Sequence, residues 1–62
     1  GLSQRETQML QLIASGMPNK RIASTLNISE VTGKFHLGNL FRKLDCKRRA
    51  EAIRAATALG WL

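Results

Sequence analysis

Apolar residues recur at helical spacing in the first segment of the chain, LSQRETQMLQLIASG. The residues that this spacing places on one side of a helix are Thr7, Leu10, Ile13 and Ala14, with Met9 beside them. Ser3 and Glu6 fit the Ser-x-x-Glu capping box, in which each residue binds the backbone N–H of the other, so Ser3 is the predicted N-cap. Gly16 can end the helix, because glycine adopts the left-handed conformation without strain. We therefore predict a first helix over about 4–15.

The second segment, MPNKRIASTLN, is shorter and contains the one proline of the chain. Its apolar positions are Ile22, Ala23 and Leu26. Two starts are compatible with the sequence, because Pro18 is favoured at the first helical position and Asn19 is favoured as an N-cap. Asn27 can end the helix in the left-handed conformation. The prediction is a helix over about 19–26.

The third segment, ISEVTGKFHLGNLFRKL, predicts the longest helix, over about 30–44, with Ser29 as its N-cap. The predicted core face consists of Gly33, Leu37, Leu40 and Leu44. The opposite face consists of Val31, Lys34, Phe35, Gly38 and Arg42. A glycine inside a helix costs about 1 kcal/mol relative to alanine, so two in one helix need an explanation. We expect Gly38 to let a partner approach closely, and Gly33 either to let another helix pack closer or to leave a cavity.

The last segment, RRAEAIRAATALG, predicts a fourth helix over about 48–59 that Gly60 ends. Its predicted packing residues are Ile53, Ala56 and Leu59. The apolar pair Trp61 and Leu62 is expected to fold back onto the core, because a chain end frays unless it is tied down. The chain is therefore predicted to be all-α, a four-helix bundle in which the second and third helices and their short turn form a helix-turn-helix.

Length and charge narrow the functional classes. Sixty-two residues allow one domain with a small core and little room for an enclosed active site. The net charge is +6, and six of the ten cationic residues lie between positions 34 and 49. A basic stripe of this kind is typical of a protein with a polyanionic partner. The alternative is a solvated basic face that only keeps the domain in solution.

The residue types needed for catalysis or metal binding are scarce. His36 and Cys46 are the one histidine and the one cysteine, and they lie in different predicted elements. This pair lacks an acid to orient the histidine, and it cannot supply the usual ligands of zinc. We therefore predict no enzyme activity, no metal and no cofactor, and we interpret Cys46 as a packing residue rather than a redox switch. No apolar run approaches the ~20 residues of a membrane span.

Several short motifs occur together along nearly the whole chain. They are LS-x-RE at 2–6, LIASG at 12–16, NK-x-IA at 19–23, IS at 28–29, the residues Thr32, Lys34 and His36, RKL at 42–44 and EAI at 51–53. With these motifs the chain resembles the LuxR/FixJ/GerE-type (NarL-like) helix-turn-helix domain of bacterial transcription regulators. The resemblance implies that residues 1–62 are the C-terminal DNA-binding domain of a longer cytoplasmic regulator. A receiver or ligand-binding domain would precede them, as in two-component or quorum-sensing regulators.

The resemblance also implies a mode of action. The third helix would enter the major groove of a double-stranded operator, and the regulator would act as a homodimer, with RNA polymerase a candidate further partner. The fourth-helix residues that would pair the dimer are Arg54, Ala55 and Ala58. The positions that would face base edges are Val31, Lys34, Phe35 and Gly38. The residues expected to contact phosphate are Lys20, Arg21, Thr32, His36, Asn39, Arg42 and Lys43.

The chemistry of these residues supports the assignment and leaves alternatives open. A lysine can donate to guanine O6 or N7, and an aromatic ring can contact a thymine methyl group. Lys34 could instead be a solvated lysine, Phe35 a core residue, and His36 a structural histidine. For the whole domain, the alternative is a basic helical module that binds a protein or a membrane surface. Single-stranded RNA is a weaker alternative, because only Phe35 offers an exposed stacking ring.

The sequence departs from the family pattern at four positions. Pro18 and Arg21 stand where the family commonly has Ser and Glu, so the second helix lacks a capping box. Gly33 replaces a commonly inward-packed Val, which removes a side chain from the core. Arg48 stands where Ser or Asn often caps the fourth helix. We expect the second helix to lack a capping box and the fourth helix to lack this side-chain cap.

Overall fold

The computed structural model describes all residues 1–62 and contains four α-helices and no strand. The helices are α1 Gln4–Ala14, α2 Asn19–Thr25, α3 Glu30–Lys43 and α4 Arg49–Ala58. They confirm the predicted all-α architecture and the helix-turn-helix made by α2 and α3. The predicted last residue of every helix is instead its C-cap, and these residues are Ser15, Leu26, Leu44 and Leu59. The sequence therefore located each helix but placed its end one residue late, and α4 also begins one residue later than predicted, at Arg49.

Serine side chains cap α1 and α3 as the sequence predicted. The Ser3 hydroxyl oxygen accepts a hydrogen bond from the Glu6 backbone N–H at 3.1 Å, and the Glu6 carboxylate accepts one from the Ser3 N–H at 2.9 Å. The capping box is therefore complete. In α3, the Ser29 hydroxyl oxygen accepts from the Thr32 backbone N–H at 3.1 Å. Each cap satisfies N–H groups that have no partner inside the helix.

The other two helices begin without a side-chain cap. α2 starts at Asn19 with Pro18 as its N-cap, which lies between the two starts that the sequence left open. α4 has Arg48 as its N-cap and also lacks a capping hydrogen bond. The missing capping box of α2 and the missing cap of α4 confirm the expectations drawn from the departures at these positions. Neither side chain carries an oxygen, so neither can accept from the first N–H groups of its helix.

A residue in the left-handed conformation follows the C-cap of every helix. These residues are Gly16, Asn27, Asp45 and Gly60, with φ of 87°, 57°, 52° and 77°. The sequence indicated all of them except Asp45. Aspartate and asparagine tolerate this conformation better than other side chains, because their short polar groups bond locally. Such ends let the chain leave each helix sharply, which keeps the connections short.

One hydrophobic core lies between the four helices, with α3 against both α1 and α2. Its buried members are Met9, Leu10, Ile13, Ile22, Leu37, Leu40, Leu44, Ala52 and Ala56. Leu37, Leu40 and Leu44 are the apolar side chains predicted for the core face of α3, and buried Gly33 lies beside them. The third helix therefore packs inward through the predicted face.

Two residues predicted to pack inward are exposed. Ala14 lies at the last turn of α1 and is exposed, whereas Met9, predicted only to flank the stripe, is completely buried. Leu59 is the C-cap of α4 and is 57% exposed. The buried residues of α4 are Ala52 and Ala56, four positions apart on one face. Because their side chains are small, α4 can approach the core closely without a leucine at its end.

The C-terminal pair folds back only in part. The Trp61 side chain packs against the core, and its backbone N–H donates to the Ala56 carbonyl at 2.8 Å. Leu62 is 43% exposed, so the prediction was wrong for this residue. Trp61 is held by its hydrogen bond to a carbonyl of α4, whereas Leu62, one residue further on, has no such bond.

A salt bridge joins the start of α1 to the end of α3. The Lys43 ammonium nitrogen lies 2.7 Å from the carboxylate oxygen Oε1 of Glu6, whose side chain is only 6% exposed. The hydrogen bond from Lys43, followed by the one from the Ser3 N–H, holds the pKa of Glu6 below its ordinary value. This carboxylate thus contributes to the cap of α1 and to the packing of α1 on α3.

Space exists beside Gly33 for one more methyl group. A β-carbon built at this position would meet the β-carbon of Ala23 at 3.5 Å and Cδ1 of Ile28 at 3.9 Å. Both distances are ordinary van der Waals contacts. Close packing of the helices therefore does not require glycine here, and the helix bears the glycine cost without a steric reason.

We predict that Gly33→Ala raises the free energy of unfolding by about 1 kcal/mol, because it removes the glycine cost and buries a methyl group. For a domain of this size that gain corresponds to about 4–8 °C in the melting temperature. Thermal unfolding followed by circular dichroism measures the change. A lower melting temperature would show that the approach of Ala23 tolerates no β-carbon.

We predict that Glu6→Gln lowers the free energy of unfolding at pH 7 by about 1–2 kcal/mol, because a charge-assisted hydrogen bond is lost while glutamine still suits the capping box. In the unchanged domain, stability should decline as pH falls below 4.5, the ordinary pKa of this carboxyl. There the unfolded chain takes up a proton that the folded domain still excludes, until the lowered folded-state pKa is passed.

Urea unfolding at several pH values measures both effects. Glu30→Gln, which changes an exposed acid, is the matched control and should retain the acid-dependent loss. An identical pH profile for Glu6→Gln and the unchanged domain would contradict the role given to this pair.

Candidate nucleic-acid interface

The side of α3 opposite the core is open to solvent and mixes apolar and cationic groups. We call this surface the outer face, and its members are Val31, Lys34, Phe35, Gly38 and Arg42. Val31 is 78% exposed and Phe35 is 63% exposed, while Lys34 and Arg42 are also exposed. The alternative that Phe35 belongs to the core is therefore wrong. The leucines of the opposite side hold α3 in place, so the outer face is presented by a fixed helix.

The local sequence favours the α3 conformation that presents this face. Ser29 caps the first turn, and Glu30 lies beside it at the positive end of the helix dipole. Arg42 and Lys43 lie in the last turn, where cations are favoured. These four residues offset part of the cost of two interior glycines. A β-carbon at Gly38 would meet no atom within 4 Å, so the surface at this point is open.

An aromatic pair occupies the middle of α3. The rings of Phe35 and His36 meet edge-on, with centroids 5.9 Å apart and an interplanar angle of 68°. His36 is half-buried, between the outer face and the core side of the helix. The contact lies along one side of the Phe35 ring and leaves most of the ring exposed.

Some of the residues predicted to contact phosphate have side chains that already bind another protein group, and others do not. The Thr32 hydroxyl oxygen accepts from the Ser29 hydroxyl at 2.9 Å, and the Arg42 guanidinium donates to the Asn39 side-chain oxygen. Lys43 is engaged by Glu6. Lys20 and Arg21, on α2, are exposed and take no part in the domain's one salt bridge. Among the residues predicted to contact DNA, Lys20, Arg21 and Lys34 are the cations whose side chains have no protein partner.

Two arginines hold the ends of α2 against the rest of the domain. Arg49, at the start of α4, donates to the Met17 carbonyl and to the Asn19 side-chain oxygen, both at 2.5 Å. Arg5, in α1, donates to the Leu26 carbonyl at 3.3 Å. A helix of seven residues is too short to be stable alone, so these contacts help to fix α2 against α1 and α4. Lys20 and Arg21 are positioned as a result.

Sequence reasoning missed these connecting roles. Arg5 and Glu6 are adjacent residues of opposite charge in the sequence, yet they bind Leu26 and Lys43. Arg49 appeared as part of a basic run. The capping-box motif was the one signal that singled out Glu6, and it indicated nothing about a partner 37 positions away.

The residues predicted to pair a dimer lie on α4 away from the core centre. Arg54 and Ala58 are exposed and Ala55 is half-buried. Exposed Leu59 and Leu62 add apolar surface near this end of the helix, and the sequence assignment did not include them. The pairing of two chains through these residues stays a prediction.

The remaining chemistry of the surface is limited. Cys46 is half-buried and packs against the core, which confirms its interpretation as a packing residue, and burial raises the pKa of its thiol. It lines an open groove of about 850 Å³ between the end of α3 and the start of α4, with charges of both signs.

No group of three or more His, Cys, Asp and Glu residues could hold a metal ion. None of the helices has the length and apolar character needed to cross a bilayer.

Comparison with known proteins places this architecture among bacterial regulators. The family model described as "Bacterial regulatory proteins, luxR family" matches residues 1–56. The nitrate/nitrite response regulator protein NarP of Escherichia coli K12 is 51% identical over 51 residues, which cover 82% of this chain and 24% of NarP. The transcriptional activator protein CarR of Pectobacterium carotovorum is 48% identical over 59 residues, which cover 95% of this chain and 24% of CarR.

A solved structure has the same fold. The response regulator ChrA of a heme-sensing two-component system superposes with a TM-score of 0.96 at 39% identity, over 100% of this chain and 31% of that chain. The chain thus spans about a quarter of the length of NarP and CarR and about a third of the ChrA chain. The extent of the family match confirms the resemblance of the motifs: the chain belongs to the luxR family of bacterial regulatory proteins.

Proposed function

We propose that this domain binds double-stranded DNA in a sequence-specific manner and thereby regulates transcription, with α3 in the major groove. The observation that supports this function best is the outer face of α3. It combines the exposed apolar side chains of Val31 and Phe35 with the unpaired ammonium of Lys34. A major groove about 12 Å wide admits one α-helix and offers acceptors and methyl groups to these side chains.

The proposal divides the contacts into two classes. The base-reading residues are Val31, Lys34, Phe35 and Gly38. Lys20 and Arg21 approach phosphates from α2, and Thr32, His36, Asn39 and Arg42 do so from α3. Lys43 is a weaker candidate, because Glu6 already holds its ammonium group.

We also propose that residues 1–62 are one domain of a longer cytoplasmic regulator, preceded by a receiver or ligand-binding domain. The share of NarP and CarR that the chain covers supports this arrangement. Two chains would pair on DNA through Arg54, Ala55 and Ala58, and RNA polymerase is a candidate partner of the complex. The relatives are regulators rather than enzymes, which favours a binding role over catalysis.

Selection of bound sites from random duplexes tests the proposed function and yields the operator and the half-site spacing together. The domain is then titrated with the selected duplex, with single-stranded RNA and with anionic vesicles at two salt concentrations. We expect tight binding to the duplex with a steep salt dependence, because bound cations release counterions from DNA. Binding to vesicles without binding to any duplex would instead favour the membrane-surface module.

We predict that Lys34→Ala relaxes the preference at one base pair by about 1–3 kcal/mol, whereas Lys20→Ala weakens all duplexes alike and reduces the salt slope by about 1. Lys20 is the better phosphate probe than Lys43, because loss of Lys43 would also leave Glu6 without its partner. Competition between selected and scrambled duplexes measures both effects. Equal losses on both duplexes for both variants would remove the division between base and phosphate contacts.

We predict that Gly38→Ala stabilises the free domain by about 1 kcal/mol and yet weakens its binding to the selected duplex. The added β-carbon meets no protein atom within 4 Å, so only a partner can be obstructed by it. Gly33→Ala is the matched control, because it changes the core side of the same helix and should leave affinity unchanged. Unaltered affinity of Gly38→Ala would show that no close approach occurs at this position.

A further inference from the structure

Two large apolar side chains form a ridge on the outer face of α3. Val31 and Phe35 lie four residues apart, so they are neighbours on the helix surface. They are the two most exposed large hydrophobic residues of the domain, at 78% and 63%. Neither packs against the hydrophobic core. In a domain with so small a core, apolar groups of this size held in water indicate that a partner covers them.

Hydrogen bonding to bases is restricted on this surface. Among the four residues proposed to face bases, only Lys34 has a polar side chain. Val31 and Phe35 cannot donate or accept, and Gly38 has no side chain. Adenine and guanine offer only polar atoms at the edge of the major groove, and apolar side chains would strip water from these atoms without replacing its hydrogen bonds.

The apolar group that the major groove offers is the C5-methyl of thymine. We propose that Val31 and Phe35 bind two thymine methyl groups and that these methyl contacts add to the hydrogen bonds of Lys34 in determining which operator the domain prefers. This inference rests on the proposed function and specifies what the recognition helix reads.

The spacing of the two side chains limits where the methyl groups lie. Four residues of α-helix span about 6 Å along its axis. Successive bases of one DNA strand rise by about 3.4 Å. If α3 follows the groove, the two thymines are therefore separated by about one or two base-pair steps, on either strand.

Replacing thymine with uracil in the selected duplex tests the inference, because uracil differs from thymine only by the missing methyl group. Each thymine of the half-site is replaced singly, and the dissociation constant is measured. We expect two neighbouring positions at which uracil weakens binding by about fourfold, the factor that corresponds to burial of one methyl group. At the same positions, 5-methylcytosine should bind better than cytosine by a similar factor.

Variants of the ridge assign each methyl group to a side chain. In Phe35→Ala one of the two positions should become insensitive to uracil, and in Val31→Ala the other should. Both side chains are mostly exposed, so the domain should remain folded, which thermal unfolding verifies. Gln11→Ala, on the exposed surface of α1, is the control and should retain both sensitivities.

The possible results separate this inference from the proposed function. Specific, salt-dependent duplex binding that is indifferent to every uracil substitution would overturn the inference and leave the proposed function intact. Uracil sensitivity that persists unchanged in Phe35→Ala and Val31→Ala would also overturn it. Failure to select any duplex would overturn the proposed function, and this inference with it. Because the uracil scan uses the unchanged domain, it decides the matter even if a variant binds too weakly to measure.

Discussion

The packing of Leu37, Leu40 and Leu44 against α1 and α2 is the contact on which the rest of the domain depends. It buries one side of α3 in the small core and leaves the other side without any protein neighbour. A helix with both functions needs a strict separation of its faces, because rotation by half a turn would exchange buried and exposed positions. The same three side chains therefore stabilise the fold and fix the direction in which Val31, Lys34 and Phe35 point.

Polar contacts between helices add to the stability that the small hydrophobic core provides. Glu6 and Lys43 connect the first turn of α1 to the last turn of α3, and the arginines at positions 5 and 49 hold the two ends of α2. A charge-assisted hydrogen bond contributes more than a neutral one, and its direction fixes geometry. The two arginines hold both ends of α2, the helix that carries Lys20 and Arg21. Part of the positive charge thus serves the fold, and the rest remains available to a polyanion.

The two glycines of α3 illustrate how stability and binding make different demands. The surroundings of Gly33 have room for a methyl group, so this glycine has no steric requirement within the domain. The surroundings of Gly38 are open solvent, so its reason cannot be intramolecular packing. Both lower the helix propensity by similar amounts. Only the glycine on the outer face has a proposed use, which is access for a partner.

The sequence by itself determined the four helices, the caps at Ser3 and Ser29 and the exposed outer face, because these depend on local periodicity and on hydrogen bonds within one turn. It misplaced Ala14 and Leu59, since their burial depends on where a helix meets its neighbours. It also could not indicate the bonds from Lys43 to Glu6 or from Arg49 to Met17, which join residues more than thirty positions apart. Only the tertiary structure decides such pairs, because helical spacing indicates which face a side chain lies on but not what lies opposite it.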